Sequence, residues 1–257
     1  MTHALERPRV YFVGAGPGDP NLITVKGKRI LEAADVVIYA GSLVNKALLR
    51  GLKARLYDSA SMSLDEIIEV MNGAAEKDLM TVRLHTGDTA FFSAISEQIE
   101  RLHGLGITFE VVPGVSSALA GCALLGQELT IPEISQTVIF TRLEGRTPVP
   151  ASERLGSLAH HKASMVIFLS VGMIDKVVEE LLQGYPENTP CVVIEKASWP
   201  GQRVIRGSLK DIAGRVKEAG VMKTALIYVG DALRASEMPL GKESRLYNKG
   251  FSHGYRK

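Results

Sequence analysis

Residues 9–13 are a short apolar run, Arg-Val-Tyr-Phe-Val, that stops on Gly14-Ala-Gly-Pro-Gly-Asp-Pro20. Three glycines and two prolines in seven positions rule out a continuous helix there. Glycine leaves the backbone unrestricted and proline removes a donor. The run before them therefore reads as a buried strand closed by a tight turn. Helical spacing starts again over 24–34, where Val25, Ile30, Leu31 and Ala34 fall on one face. Strand, glycine turn and helix in that order form the repeating unit of an open α/β sheet.

The rhythm continues. Apolar runs predict strands over 35–39, 79–84 and 107–112, and helical spacing predicts helices over 91–102 and 115–125. Between them Ser63 can cap a helix, with Glu66 completing a capping box and Ile67, Ile68 and Met71 supplying the apolar stripe. Such alternation implies a parallel sheet with helices on both faces. Residues 129–150 break it, with Pro132, Pro148 and Pro150 around one strand at 137–141. The lobe boundary belongs here, dividing the chain into 1–130 and 131–257. A second alternating set follows, with strands over 164–169, 191–195, 203–206 and 225–229 and helices over 173–182 and 209–219. The expected class is α/β, in two α/β lobes. From Glu237 the chain turns polar and glycine-rich, and we expect it to be poorly ordered or ordered only on assembly.

Charge and composition exclude several functions. With 257 residues and 46% hydrophobic content the chain can bury its own core. A net charge of +2 gives no bulk attraction to nucleic acid, though local basic groups can still meet a small anion. Cys122 and Cys191 sit in apolar surroundings and read as small core residues. Residues 1–8 lack the apolar run of a signal peptide, and no apolar stretch reaches the length of a membrane span. Cytoplasm is the expected location, with no membrane partner.

The glycine loop sits where a dinucleotide-binding protein would hold pyrophosphate. Two residues oppose that reading. Asp19 replaces the third glycine, and Tyr39-Ala-Gly41 replaces the acid that would end the second strand. The loop either makes a tight turn only, or lets backbone at Gly16 and Gly18 approach a bulky ligand. No Ser-His-Asp set is visible, and no His/Cys spacing suggests a metal site. The adjacent His160 and His161 would point in different directions on a helix.

Four segments together resemble one family, the tetrapyrrole methylases. They are 13–20 with Leu22-Ile-Thr-Val-Lys-Gly27 behind it, Arg83-Leu-His-Thr-Gly-Asp88, Val112-Pro-Gly-Val-Ser-Ser-Ala118, and Trp199-Pro-Gly-Gln-Arg203 with Arg206-Gly-Ser-Leu-Lys210. The resemblance spans residues 9–233. Ala40-Gly-Ser-Leu-Val44, Asp58-Ser-Ala-Ser-Met62 and residues 140–150 look most like the branch that methylates C11 of a precorrin. One departure is Thr89, where the family usually has proline after Gly-Asp; it leaves that loop with one more free backbone angle.

The resemblance implies two α/β lobes with a ligand trough between them, and a homodimer. It also implies transfer of a methyl group from S-adenosylmethionine to a tetrapyrrole, leaving S-adenosylhomocysteine. By the resemblance, Pro17, Gly87, Asp88, Thr89, Ser116, Ser117, Ser170, Ala197 and Ala225 surround the cofactor. Asp88 would meet the ligand's amino group or ribose hydroxyls; the alternative is a helix cap before Phe91. A tetrapyrrole carries many carboxylates, for which arginine forks are natural partners. Arg83, Arg142 and Arg146 are the candidates, with Gly16 and Gly18 lining the approach; Arg203, His85 and Lys196 are further ones. Glu144 could share a strand face with Arg142 and orient one arginine. The sulfonium is already activated, so orientation and water exclusion suffice and no catalytic side chain is singled out. Other tetrapyrroles, or a non-catalytic tetrapyrrole-binding role, stay open at this point.

Overall fold

The computed structural model describes residues 8–236 and residue 252. The expectation for the tail from Glu237 falls, apart from Ser252, outside the described residues. The chain divides into two compact units, Met1–Ala120 and Gly121–Lys257.

The first unit is a five-stranded sheet in the order β3-β2-β4-β1-β5, with every neighbouring pair parallel. Its strands are β1 (Val10–Gly14), β2 (Val36–Tyr39), β3 (Arg55–Asp58), β4 (Thr81–His85) and β5 (Phe109–Val112). Alternation along β1 builds two cores. Tyr11 and Val13 face a cluster with Leu31 and Ala34, while Val10 and Phe12 face one with Ile67, Ile68, Met71 and Leu102. The first cluster takes Leu31 from α1 (Val25–Glu32); the second draws on α2 (Leu64–Ala75) and α3 (Ser96–Gly104). Helices therefore cover both faces, as the strand–helix alternation implies. The capping box at Ser63 and Glu66 is present.

Two elements of this unit differ from expectation. The predicted helix over 91–102 starts only at Ser96, because Phe92 (φ 53°) and Ala94 (φ 49°) take left-handed backbone that no helix can include. Strand β3 had no apolar signal: it is a sheet edge and its residues are mostly exposed.

The second unit holds β6 (Val138–Arg142), β7 (Ser164–Phe168), β8 (Pro190–Glu195), β9 (Arg203–Ser208) and β10 (Ala225–Val229), in the order β6-β7-β10-β8-β9. Only β6 and β7 pair in parallel; the other three pairings are antiparallel. The second alternating set therefore forms a mixed sheet. The physical reason is the short link between β8 and β9, since a parallel crossover needs a dozen residues or more. One face packs Met165, Ile167, Val193 and Ile227 against Leu155, Ile174, Val177, Leu181, Ile212 and Val216. These come from α5 (Leu155–Ala159), α6 (Ile174–Leu181) and α7 (Ile212–Glu218). On the other face lies the fully buried Tyr228, so near Gly121 of α4 (Ser117–Leu125) that a side chain there would strike its hydroxyl. Cys191 is buried and Cys122 half-buried.

Candidate functional site

Three loops leave the carboxyl ends of β1, β4 and β5, and their backbones interlock. A side chain at Gly14 would come within 2.6 Å of the Gly114 α-carbon and 2.7 Å of the Gly87 carbonyl oxygen. At Gly114 it would collide with that same carbonyl. Such approach is open to glycine alone. The first two loops also exchange hydrogen bonds. Gly16 N–H donates to Gly87 O (3.2 Å) and Gly87 N–H to Gly16 O (2.8 Å). Both glycines have positive φ, 79° and 65°. The third loop joins through Asp88, whose Oδ2 accepts from Gly114 N–H at 2.7 Å.

This places many of the sequence-predicted residues together in the first unit. Gly16, Pro17, Gly18, Gly87, Asp88, Thr89 and Ser116 lie on the three loops, and Ser117 opens α4. Thr89 and Ser116 are buried. A Cβ at Gly87 would stand in ordinary contact with Ser117 N at 3.8 Å and Ser116 Cα at 3.9 Å, without the clash seen at Gly14 and Gly114. Asp88 does not cap a helix at Phe91, because none begins there; its Oδ1 accepts from Ala90 N–H at 2.8 Å instead.

Arg83 and His85 are corrected as carboxylate partners. Arg83 lies within β4 rather than at its end and is only 6% exposed. Its Nε donates to Gln98 Oε1 (3.2 Å) and its Nη1 to Ile38 O (3.3 Å). Burial lowers its pKa to about 10, so it stays cationic at neutral pH but faces α3 and β2. His85 is also buried, and burial, with the Arg83 charge adding to it, depresses its pKa to about 3. A neutral imidazole offers no ion pair. Its Nε2 has no hydrogen-bond partner among the described residues.

In the second unit Ser170, Ala197 and Ala225 lie at one end of the sheet. Ala225 stands opposite Glu195, two residues before Ala197, and the antiparallel register Ile227↔Ile167 sets it level with the end of β7 that leads to Ser170. Ser170 is fully buried with its hydroxyl engaged: it donates to Phe168 O (2.6 Å) and accepts from Leu143 N–H (2.8 Å). Lys196 takes left-handed backbone just past β8.

Arg142 ends β6 and is half-buried. It donates to Thr147 O at 3.1 Å and Pro148 O at 2.9 Å, clamping its own loop. Glu144 orients no arginine; its Oε1 accepts from Val149 N–H at 3.4 Å. Arg146 is exposed at the tip of this loop. Arg203 pairs with Glu195 at 2.6 Å and donates to Ala219 O at 2.7 Å. Of the arginines named from the sequence, Arg146 alone keeps its guanidinium clear of any hydrogen bond or ion pair to another described residue.

Sequence reasoning missed two polar residues that hold this architecture, Gln98 under Arg83 and Asn45 beside Gly18. Asn45 carried a signal: asparagine is a favoured cap, and residues 46–49 form the turn it caps. Among the described residues there is no group of three or more His, Cys, Asp or Glu that could hold a metal ion. None of the described helices is long and apolar enough to cross a membrane.

Comparison with known proteins places these loops in a family context. Residues 9–213 match the family model described as Tetrapyrrole (Corrin/Porphyrin) Methylases. The chain is 55% identical over 252 residues to the cobalt-precorrin-4 C(11)-methyltransferase of Methanocaldococcus jannaschii, covering 97% of this chain and 96% of the relative. It is 47% identical over 248 residues to the precorrin-4 C(11)-methyltransferase of Pseudomonas aeruginosa, covering 96% and 98% respectively. Among solved structures, it is similar to the cobalt precorrin-4 methyltransferase CbiF, with a TM-score of 0.85 and 46% identity over 87% of this chain and 95% of that one.

Proposed function

This chain belongs to the tetrapyrrole methylases, and from that membership we propose that it transfers the methyl group of S-adenosylmethionine to C11 of precorrin-4, giving precorrin-5 on the route to cobalamin. One observation carries the reading: near full-length identity of 55% and 47% to two relatives that are both named for the C11 reaction.

The residues of the first unit fit the cofactor. S-adenosylmethionine supplies a methyl group already activated on a sulfonium. Gly87 has positive φ and no side chain, so the backbone there is free of a Cβ that would come between it and a ligand. Each Asp88 oxygen accepts one backbone N–H, and a carboxylate has about four acceptor sites. Capacity thus remains for a hydroxyl or an ammonium group. Pro17, Gly87, Asp88, Thr89, Ser116 and Ser117 of the first unit and Ser170, Ala197 and Ala225 of the second are our assignment for the cofactor. Gly16, Gly18 and Arg146 are our assignment for the tetrapyrrole. Arg146 has its planar fork free for an acetate or propionate. The protein's part in the reaction is to orient donor and acceptor and keep water away. We further propose a homodimer, the commonest closed assembly.

A second reading has its own support. The 55% identical relative is named for the cobalt-bearing ring, so cobalt-precorrin-4 is the competing substrate. The deciding experiment incubates the purified protein with methyl-labelled S-adenosylmethionine and each ring form, then reads methyl count by mass spectrometry and methyl position by NMR. Label at C11 of either form supports the reading and chooses between the two. Label on uroporphyrinogen III instead would move the protein to another branch. Tetrapyrrole binding without methyl transfer would make it a non-catalytic binder.

A further inference from the structure

Two stretches singled out in the sequence, 40–44 and 58–62, have no part in the cofactor loops, yet they meet in space. Gly41 has φ 48°, and a Cβ there would fall 2.9 Å from the Ala60 Cβ and 3.2 Å from Asp58 Oδ1. Ser59 Oγ donates to Tyr39 O at 3.0 Å. Asp58 Oδ1 accepts from Ala60 N–H at 3.0 Å, closing the turn after β3. The two stretches thus form one packed corner at the carboxyl ends of β2 and β3. That corner is anchored in the core on either side of Asn45: Val44 is 2% exposed and Leu49 9%.

Asn45 joins this corner to the glycine loop. Its Oδ1 accepts from Ala47 N–H at 2.9 Å, capping the turn Lys46–Leu49. That bond fixes which way the amide faces, and Nδ2 then donates to Gly18 O at 2.7 Å. The glycine loop has other restraints at its two ends: the Gly16–Gly87 exchange, and the Asp19 side chain accepting from Asn21 N–H at 2.8 Å. Between those ends the Gly18 carbonyl is held from outside by an amide that is itself locked.

We propose that Asn45 is a positioning residue for the methyl-transfer reaction, holding the Gly18 carbonyl so that the backbone of residues 16–18 is preset where the tetrapyrrole is received. This rests on the functional reading above. Asn45 touches no reacting atom in the proposal. It acts through Gly18, so its loss affects substrate placement before it affects the fold.

The amide's two roles can be separated. Aspartate caps a helical turn about as well as asparagine, so Asn45→Asp keeps an acceptor for Ala47 N–H. It replaces the donor facing Gly18 O with a second acceptor. Asn45→Ala removes both bonds. The assay measures the melting temperature, S-adenosylhomocysteine affinity by calorimetry, and KM and kcat for precorrin-4 on full-length protein. It adds hydrogen exchange of the amides over residues 14–20. For Asn45→Asp we expect a modestly lower melting temperature, little change in S-adenosylhomocysteine affinity, faster exchange in the glycine loop and a KM raised roughly 2–10-fold, the factor one net hydrogen bond represents. For Asn45→Ala we expect the same KM rise with a lower melting temperature. Asn45→Asp with wild-type KM and wild-type exchange would overturn the proposal. So would a KM rise matched by equal loss of S-adenosylhomocysteine affinity and stability, which marks a purely structural residue. If the wild-type protein methylates no precorrin-4, the functional reading fails by itself, and unchanged exchange over 14–20 then rejects the Asn45 proposal independently.

Discussion

The Asp88 carboxylate accepts the backbone N–H of Gly114 at 2.7 Å, so one acidic side chain ties the loop after β4 to the loop after β5. Its other oxygen closes its own loop on Ala90. Removing it should therefore act on ligand and scaffold together. Asp88→Ala should weaken S-adenosylhomocysteine binding by roughly 1.5–3 kcal/mol, the size of a hydrogen bond to a charged group, and lower the melting temperature. Calorimetry in the presence of EDTA reads the first and a thermal scan the second. Wild-type affinity in a folded variant would remove Asp88 from the cofactor set.

The interlocked glycines predict a contrast between two equal chemical changes. Gly114→Ala drives a methyl into the Gly87 carbonyl and Gly14, and should destabilise by about 1–3 kcal/mol, as overpacking does. Gly73→Ala, inside α2 with open space around it, should stabilise by up to about 1 kcal/mol through helix propensity. Urea denaturation of the two variants checks both signs.

His85 sets a pH dependence. Its folded pKa is depressed to about 3 by burial and by Arg83, while an unfolded histidine titrates near 6.5. Below that value the unfolded chain takes up a proton that the folded chain refuses. Stability is therefore lost as pH falls from about 6.5 towards 3, by roughly 1.4 kcal/mol per unit at most. Between pH 6.5 and 5 the wild type should lose up to about 2 kcal/mol more than His85→Gln. Equal slopes for the two proteins would contradict a buried neutral imidazole.

Arg142, the last residue of β6, and Arg146, four residues further on, should respond differently. Arg142→Ala frees the Thr147 and Pro148 carbonyls and should lower the melting temperature. Arg146→Ala should leave it unchanged, since the side chain is exposed and unpaired among the described residues. If Arg146 meets a substrate carboxylate, the variant's KM for the tetrapyrrole should rise, and the rise should shrink at high salt. A wild-type KM for Arg146→Ala would exclude it from the substrate site.

Much of the first unit was legible because its signals are local. Apolar runs closed by Gly14, Gly87 and Gly114 mark strand ends in any parallel sheet, and those three ends are where the loops interlock. Strand β3 left no trace, since at a sheet edge Arg55 and Leu56 need not be buried. The gap between Glu195 and Arg203 is too short for a parallel crossover, so β8 and β9 pair as a hairpin and the second sheet is mixed. Arginine roles were the least legible. Whether Arg83 meets a carboxylate or the amide of Gln98 depends on a partner on another element, and Arg142 meets carbonyls that only the folded loop brings back to it. Asn45 is the same kind of case: its cap on Ala47 is local, but its bond to Gly18 crosses 27 positions.

The strand order β3-β2-β4-β1-β5 has a consequence for how the chain is made. β1 is made before the other strands of its sheet, yet its two neighbours are β4 and β5, whose registers pair Val10 with Thr81 and Phe109. At translation speeds of about 5–20 residues per second, β1 waits roughly 5–20 s before both edges can be covered. During that interval Val10, Tyr11, Phe12 and Val13 have no sheet to enter, and the nascent chain exposes an apolar segment to whatever else is near. The β8–β9 hairpin of the second unit has no such delay, because its partners are made almost together. Under stress or overexpression, the hazard of aggregation lies at the start of this chain, in a strand that ends up wholly buried in the finished protein.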